Sequence, residues 1–175
     1  MTGRDTGCVI VDATRGPALD AARGLFRAYA ASLAFSLEYQ GFEAELAGLP
    51  GLYAPPAGGI WVAQRAEPTE PARAVGCVAL RPLAGVRDGR GTVAELKRMY
   101  VAPEARGLGL GVALGAAAVR GALRAGYGVI KLDTSADMAA AHAVYRRLGF
   151  VPCARYNDDP DPTTRYFERQ LGGEG

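Results

Sequence analysis

The sequence has 175 residues, a formal net charge of +2 at pH 7 and an apolar fraction of 49%. A chain of this length can bury one hydrophobic core but is short for two, so we expect a single domain folded over about residues 8–171. The small net charge argues against nucleic acid as a partner. The sequence has no run of ~18 apolar residues to cross a membrane and no apolar signal-peptide core near its start, so a cytoplasmic protein is expected.

The three cysteines, Cys8, Cys77 and Cys153, are far apart in the sequence. They lack the paired spacing of a zinc site. We therefore expect reduced, partly buried cysteines and no metal.

The first half of the chain predicts a strand, two helices and a hairpin. The Gly16-Pro17 pair opens the first helix, because proline suits the first helical position, and apolar residues at helical spacing continue it to Leu33. The predicted elements are a strand at 8–11, helices at 16–33 and 42–49, strands at 60–65 and 74–81, and turns at 50–59 and 67–73.

The second half predicts a strand, a helix and a further strand in direct succession. Such an order forms a βαβ crossover, so the two strands should be parallel neighbours. The predicted elements are strands at 93–101 and 129–133 around a helix from about 106 to 124, then a helix ending at 148 and strands at 150–153 and 164–171. Thr134 or Ser135 can cap the later helix, and Gly149 can end it.

A glycine-rich turn, Arg-Gly-Leu-Gly-Leu-Gly at residues 106–111, joins the strand to the helix. Pro103 stops the strand, since proline cannot donate to a strand ladder. The glycines let a ligand approach bare backbone, and the first turn of the helix offers unpaired N–H groups and a partial positive charge. With Arg106, this turn predicts a diphosphate-binding site.

Two blocks of sequence resemble those of the GNAT superfamily of N-acetyltransferases. Residues 95–101, Glu-Leu-Lys-Arg-Met-Tyr-Val, together with the glycine turn, resemble its acyl-CoA-binding signature. Leu-Asp-Thr at 132–134 and Ala-His-Ala-Val-Tyr-Arg-Arg-Leu-Gly-Phe at 141–150 resemble its second conserved block. The sequence departs from the family at Met138, where asparagine is common, and so lacks a side-chain hydrogen bond to the cofactor or to the splayed strand.

The resemblance implies an α/β fold with a mixed, mostly antiparallel sheet, one parallel βαβ crossover and helices on both faces. The sheet splays near its middle and binds acetyl-CoA as co-substrate. The thioester arm would lie against the backbone of Met99, Tyr100 and Val101. The diphosphate would bind the backbone N–H groups of Arg106, Gly107, Leu108, Gly109, Leu110 and Gly111.

The implied reaction is direct attack of a primary amine on the thioester through a tetrahedral intermediate. By resemblance Tyr145 donates a proton to the leaving thiolate; alternatively, it only belongs to the apolar helix face. Glu95 is the candidate base, directly or through a water, or it forms an internal pair with Lys97 or with an arginine from a helix. His142, in the helix of the candidate acid, is expected at an exposed position; the alternative is a second base. Strand alternation predicts one face with Glu95, Lys97, Met99 and Val101 and the other with Leu96, Arg98 and Tyr100.

The acceptor site is expected between the first two helices and the loop before the last strand. There the sequence offers Phe35, Tyr39 and Tyr156 as contacts, with Phe42 and Glu38 nearby. Carboxylates beside aromatic rings would suit a cationic amine. For Asp158 and Asp159, a solvated loop is the favoured interpretation.

Two rival interpretations use the same residues. A strand, a glycine turn and a helix, with Asp133 ending the next strand for a ribose, also describe a dinucleotide-binding Rossmann unit. That fingerprint fails at Leu114, where a third glycine or alanine belongs, and its strand is charged where a buried parallel strand is apolar. The other rival is a GNAT-like domain that binds acyl-CoA without turnover, as a sensor or assembly module. A homodimer through the last strands is also possible.

Overall fold

The computed structural model describes residues 7–67, 71–86 and 88–172. In chain order the elements are β1 (Cys8–Asp12), α1 (Gly16–Ser32), α2 (Phe42–Ala47), β2 (Gly59–Arg65), β3 (Arg73–Pro82), β4 (Val93–Val101), α3 (Leu110–Arg124), β5 (Val129–Thr134), α4 (Ala139–Arg147), β6 (Val151–Pro152) and β7 (Arg165–Gln170). Single 3-10 turns occupy Glu38–Gln40, Gly51–Tyr53 and Pro103–Ala105. Parts of the predicted turn at 67–73 lie outside the described residues.

The described strands form one seven-stranded sheet in the order β1-β2-β3-β4-β5-β7-β6. Neighbouring strands are antiparallel except β4 and β5, which are parallel and joined through α3. The predicted fold class and the predicted crossover are therefore confirmed. A Rossmann unit is excluded, because its sheet is mostly parallel.

Helices cover the sheet on both faces. α3 and α4 pack on one face, where Leu114, Ile130 and Tyr145 belong to one buried cluster. α1 and α2 cover the other face, where Phe26, Leu46 and Val62 form a second cluster. We call these the α3 face and the α1 face of the sheet.

A β-bulge in β4 changes which side chains share a face. Arg98 has φ 57°, and the pairing of β4 with β3 shifts between Cys77 and Ala79. Because one extra residue is inserted there, alternation restarts after Lys97. Met99 and Val101 consequently pack on the α3 face, while Tyr100 packs on the α1 face.

The predicted alternation is thus wrong beyond Lys97. Arg98 lies on the α1 face, where it binds Glu45 of α2. Leu96, which the simple alternation groups with Arg98, packs on the α3 face. Side chains alternate between the two faces only while each residue of a strand is paired with one residue of its neighbour. At the bulge β4 has one residue more than β3, so the alternation shifts by one.

β4 and β5 separate near the middle of the sheet. Their pairing extends only from Val93–Val129 to Glu95–Lys131, although both strands continue. Beyond Glu95, the β5-facing edge of β4 has no strand neighbour among the described residues. This gap is the splay that the sequence resemblance implies.

Two predicted helix starts differ from the structure. α3 begins at Leu110, after a 3-10 turn and an N-cap at Gly109, rather than at Arg106. α4 begins at Ala139 with Met138 as its N-cap, and no side chain caps it. Neither Thr134 nor Ser135 acts as the cap, because the first is still in β5 and the second lies in the turn between β5 and α4. The predicted end at Gly149 is confirmed by its φ of 81°.

Candidate active site

The glycine turn presents a row of free backbone N–H groups. Within the described parts of the chain, the N–H groups from Gly107 to Val112 have no hydrogen-bond acceptor, and the first helical bond is that of Ala113 to Gly109 at 3.1 Å. The Arg106 N–H differs, because it donates to the carbonyl of Pro103 at 3.3 Å. The row therefore begins one residue later than the sequence predicts.

Two glycines in this turn need their backbone freedom. Gly107 and Gly109 both have φ 78°, a left-handed conformation that favours glycine. No atom lies within 4 Å of the position that a Cβ would occupy at either residue, so the space above the turn is open. Gly111 is different, because a Cβ there would lie 3.2 Å from Val144 of α4.

The open edge of β4 runs from the gap to the glycine turn. Met99 and Val101 turn their side chains to the α3 face, and the Tyr100 ring meets Tyr29 of α1 at 6.3 Å. The guanidinium Nε of Arg106 donates to the Val101 carbonyl oxygen at 3.2 Å. The edge and the turn thus form one continuous polar backbone surface.

A cavity of about 360 Å³ lies at the gap between β4 and β5. Its walls come from both faces of the sheet, since Tyr29 of α1 and Tyr145 of α4 both line it. The other lining residues are Phe35, Ser36, Leu37, Tyr39, Gln40, Leu96, Lys97, Arg98, Met99, Asp133, Thr134, Ser135, Met138, Asp159, Pro160, Asp161 and Thr164. The cavity is therefore a passage through the sheet rather than a groove on one face.

Tyr145 lines the cavity from the α3 face. Its ring packs against Phe150 and Phe167, and among the described residues its hydroxyl has no hydrogen-bond partner. Burial raises the pKa of the phenol above its ordinary value of about 10, and Tyr29 and Asp133 act in the same direction. The phenol is therefore protonated at neutral pH and can donate a proton.

Glu95 lies on the α1 face but does not line the cavity. It is 2% exposed, its Oε2 accepts a hydrogen bond from Arg81 Nε at 2.9 Å, and Arg81 Nη2 lies 2.8 Å from the same oxygen in an ion pair. Its Oε1 accepts a hydrogen bond from the Tyr156 hydroxyl at 3.0 Å, and Lys97 Nζ is 3.9 Å away. The internal partner is thus chiefly an arginine of β3, not one from a helix.

A second carboxylate, that of Asp133 at the end of β5, does line the cavity. Asn157 donates to its Oδ2 at 2.6 Å, and Lys97 Nζ lies 3.5 Å from its Oδ1. Tyr166 in turn donates to Asn157 Oδ1 at 3.0 Å and so fixes the amide. From the sequence, Asp133 has only the role of a ribose ligand in the Rossmann interpretation; its position at the end of a predicted buried strand was the available signal for a site residue.

Arg98 fixes the wall between α1 and α2. Its guanidinium binds both carboxylate oxygens of Glu45, at 2.9 and 2.8 Å, and Gln40 at 3.1 Å. It also lies 5.1 Å from the centre of the Phe42 ring. Phe42 is therefore a buried support rather than an acceptor contact.

The predicted acceptor residues divide into two groups. Phe35 and Tyr39 line the cavity, and the Tyr39 hydroxyl donates to Asp159 across it at 3.1 Å. Tyr156 does not line it and instead binds Glu95. Asp159 faces the cavity, whereas Asp158 is exposed, as the solvated-loop interpretation expects.

His142 contradicts its predicted exposed position. It is 9% exposed, its Nε2 is 3.0 Å from the Ser135 carbonyl oxygen, and its ring is 5.5 Å from that of Phe167. The long 153–164 loop before β7 covers this side of α4, which a helical pattern by itself does not reveal.

The described residues contain no group of three or more His, Cys, Asp or Glu that could hold a metal ion. None of the three cysteines forms a disulfide within the described part of the chain; Cys77 is buried, and Cys8 and Cys153 are half-buried. No helix in the described ranges is long and apolar enough to cross a membrane.

Comparisons with known proteins agree on one family. The sequence profile of the Acetyltransferase (GNAT) family matches residues 28–150. An uncharacterized N-acetyltransferase of Schizosaccharomyces pombe is 33% identical over 153 residues, which cover 87% of this chain and 88% of that protein.

Solved structures share the fold. An acetyltransferase from Streptococcus agalactiae superposes with a TM-score of 0.69 at 22% identity, covering 94% of this chain and 99% of that one. The acetyltransferase yncA from Salmonella typhimurium, solved with its cofactor acetyl-CoA, has a TM-score of 0.65 at 17% identity and 96% coverage of both chains.

Proposed function

Since this chain belongs to the Acetyltransferase (GNAT) family and is an acyltransferase, we propose that it transfers the acetyl group of acetyl-CoA to a primary amine. The row of free N–H groups from Gly107 to Val112 carries this proposal. A diphosphate needs several unpaired donors at once, and the start of a helix adds partial positive charge. The open glycines leave room for the phosphates to reach those donors.

The open edge of β4 is the proposed site of the thioester arm. The pantetheine part of CoA carries two amides, which can pair with an exposed strand edge as another strand would. The Arg106 guanidinium donates a hydrogen bond to the Val101 carbonyl oxygen. On binding of acetyl-CoA it would move from that oxygen toward the phosphates. The complex structure of yncA with acetyl-CoA supports a cofactor of this class for the fold.

The proposed chemistry is direct attack by the amine on the thioester carbonyl carbon. Tyr145 would supply a proton to the departing sulfur, since it lines the gap on the α3 face, where the glycine turn also lies. Glu95 stays a predicted base; with its carboxylate paired to Arg81 and outside the cavity wall, it would act only through intervening water.

Two substitutions at Gly109 test the diphosphate site. Gly109→Ala and Gly109→Asp both place a side chain at positive φ, a conformation that aspartate tolerates better than alanine, and only aspartate adds a negative charge to the row of N–H groups. We expect the alanine variant to bind acetyl-CoA at most a few-fold more weakly and the aspartate variant at least 30-fold more weakly. Isothermal titration calorimetry at one ionic strength measures both.

Unchanged affinity in Gly109→Asp would contradict the placement of the diphosphate. Turnover is assayed separately, as release of free thiol from acetyl-CoA in the presence of a panel of primary amines. Tight binding of acetyl-CoA without thiol release on any amine would contradict acetyl transfer and favour a sensor.

A further inference from the structure

We propose that Asp133 is the residue that binds the protonated amine of the acceptor and receives its proton. This inference rests on the proposed function and assigns the acceptor a chemical class, a cationic primary amine. It also names a catalytic residue that the sequence comparison with the family did not supply.

The two sides of the gap have different chemistry. On the α3 face lie the glycine turn, the phenol of Tyr145 and the apolar side chains of Leu96 and Met99. On the α1 face, the cavity is walled by Tyr29, by the 3-10 turn Glu38–Gln40 and by the loop before β7. A cofactor that enters along the α3 face leaves the α1 face for the acceptor.

Asp133 lies on the acceptor side of this passage, next to the point where β4 and β5 separate. Along β5, Ile130 and Leu132 pack on the α3 face, so alternation turns Asp133 to the α1 face. β4 and β5 stop pairing at Glu95 and Lys131, two residues before Asp133. The carboxylate therefore borders the gap itself, whereas Glu95 lies where the strands still pair.

The carboxylate of Asp133 is held in place by hydrogen bonds that do not use all of its acceptor positions. Its side chain is 11% exposed, Oδ2 accepts one short hydrogen bond from Asn157, and Oδ1 has Lys97 Nζ at the long distance of 3.5 Å. Each carboxylate oxygen has two acceptor positions. An incoming ammonium can therefore bind Asp133 without first displacing Asn157.

The other carboxylates of the cavity are less suited. Asp159 accepts a hydrogen bond from Tyr39, and Asp161 accepts bonds from the backbone and hydroxyl of Thr163. Both belong to the loop before β7, toward the 3-10 turn, rather than to the strands that border the gap. They add negative charge that favours a cation but do not reach the position beside the thioester.

The proton balance of the step is complete. The ammonium gives one proton to Asp133, and the nitrogen then forms its bond to the carbonyl carbon of the thioester. The bond from carbon to sulfur breaks, and the sulfur takes the proton of the Tyr145 phenol. The second proton of the nitrogen restores that phenol, and Asp133 releases its own proton to solvent.

Benzylamine and phenylhydrazine are matched probes for this role. They have the same shape, and at pH 7 benzylamine is a cation while phenylhydrazine is uncharged. We expect Asp133→Asn to lower kcat/KM for benzylamine at least 100-fold and for phenylhydrazine less than fivefold, with the Kd of acetyl-CoA unchanged. Asp137→Asn, an exposed position in the turn before α4, is the matched control and should stay within twofold for both probes.

The double variant Lys97→Met/Asp133→Asn separates recognition of the acceptor from simple neutralisation of Lys97. If Asp133 only balances the buried lysine, the double variant recovers activity on benzylamine, and the inference is overturned. If Asp133 binds the ammonium, the double variant stays as low as the single one. Urea unfolding of all variants checks that each is folded.

Binding provides a readout that does not depend on turnover. Calorimetry with the CoA-loaded enzyme should show at least tenfold weaker binding of benzylamine to Asp133→Asn than to the natural protein. Equal affinity, or no binding of benzylamine to the natural protein, overturns the inference. Neither result affects the diphosphate site, which the Gly109 variants test by themselves.

Discussion

Tyr145 packs as part of an apolar helix face and also has the geometry for its proposed chemical role. Its ring fills the space between Phe150 and Phe167, and its hydroxyl borders the cavity. The sequence left these roles as alternatives, because a tyrosine on an apolar helix face is compatible with both. In the structure they do not exclude each other, since the ring and the hydroxyl face different surroundings.

Tyr145→Phe removes only the hydroxyl and keeps the packing of the ring. We expect turnover to fall about 100-fold or more, the usual effect of losing a general acid, while the Kd of acetyl-CoA stays within twofold. Because burial raises the pKa of the phenol, the acid form should persist to pH 10, and activity should not decline through ionisation of this group below that pH. Steady-state kinetics and calorimetry measure these quantities; wild-type turnover would remove Tyr145 from the mechanism.

Glu95, unlike Tyr145, has contacts that are explained by packing and charge pairing. A carboxylate that is 2% exposed is costly unless it is paired, and the ion pair with Arg81 supplies that partner. Its bond from Tyr156 ties β4 to the loop before β7. The observed contacts explain its burial without a catalytic role, and the role as base stays a prediction.

At the scale of elements, the bulge in β4 organises the site. It places Lys97 and Arg98, neighbours in sequence, on the same face, where one binds Asp133 and the other binds Glu45. Two cations side by side on one face repel each other, and two separate carboxylates balance them. The bulge thereby joins β5 and α2 to the same segment of β4.

The ion pair between Glu45 of α2 and Arg98 of β4 predicts that the stability of the fold depends on pH. Burial acts to raise the pKa of Glu45, but the hydrogen bonds and charge of Arg98 outweigh it and hold the pKa below its ordinary value of 4.5. A depressed carboxyl pKa stabilises the fold fully above the unfolded pKa and loses that contribution as pH falls through the folded pKa. Glu45→Gln should therefore lower the free energy of unfolding on the order of 2 kcal/mol at pH 7 and distinctly less at pH 3.

Urea unfolding at the two pH values measures this difference. Glu43→Gln, an exposed position on the same short helix, is the matched control and should show no measurable change at either pH. If Glu45→Gln lowers the free energy of unfolding equally at pH 7 and pH 3, the carboxylate charge does not contribute to the pair of Glu45 and Arg98.

At the scale of the whole molecule, the gap between β4 and β5 leaves part of the sheet without a strand partner, and a bound ligand could supply one. Among the described residues, the open edge of β4 has no strand partner beyond Glu95, and its Val101 carbonyl is bound by the Arg106 side chain instead. A ligand that binds only the folded state stabilises it by mass action, by about 2.7 kcal/mol at 100 times its Kd.

We therefore expect acetyl-CoA to raise the Tm of the natural protein in a concentration-dependent way. Pantetheine, which has the amides but no diphosphate, should raise it far less at the same concentration. Gly109→Asp should lose most of the shift with acetyl-CoA. Differential scanning calorimetry measures all three; an equal shift with pantetheine would contradict a dominant role for the diphosphate site.

The proposed homodimer through the last strands also belongs to this scale. The outer strand of that end, β6, has only the residues Val151 and Pro152, and proline cannot donate to a partner strand. Such a short edge is poorly suited to continue the sheet in a second copy. The homodimer stays a prediction.

The sequence by itself determined the order of the elements, the parallel crossover and the glycine turn. These features are local: helical spacing, proline and glycine positions and a strand-helix-strand order each act within a few residues of the chain. For the same reason the sequence placed Tyr145 on the helix that is α4. The start of the row of free N–H groups was predicted to within one residue.

Only the tertiary structure decided which carboxylate meets the cavity. The side-chain alternation of β4 shifts at a bulge that is defined by its pairing with β3. The position of the gap depends on where β4 and β5, which are far apart in the chain, stop pairing. Glu95 and Asp133 are both carboxylates in predicted strands, and nothing within either segment tells them apart. Their different surroundings, Arg81 and Tyr156 for one and the open gap for the other, arise from contacts between residues far apart in the chain.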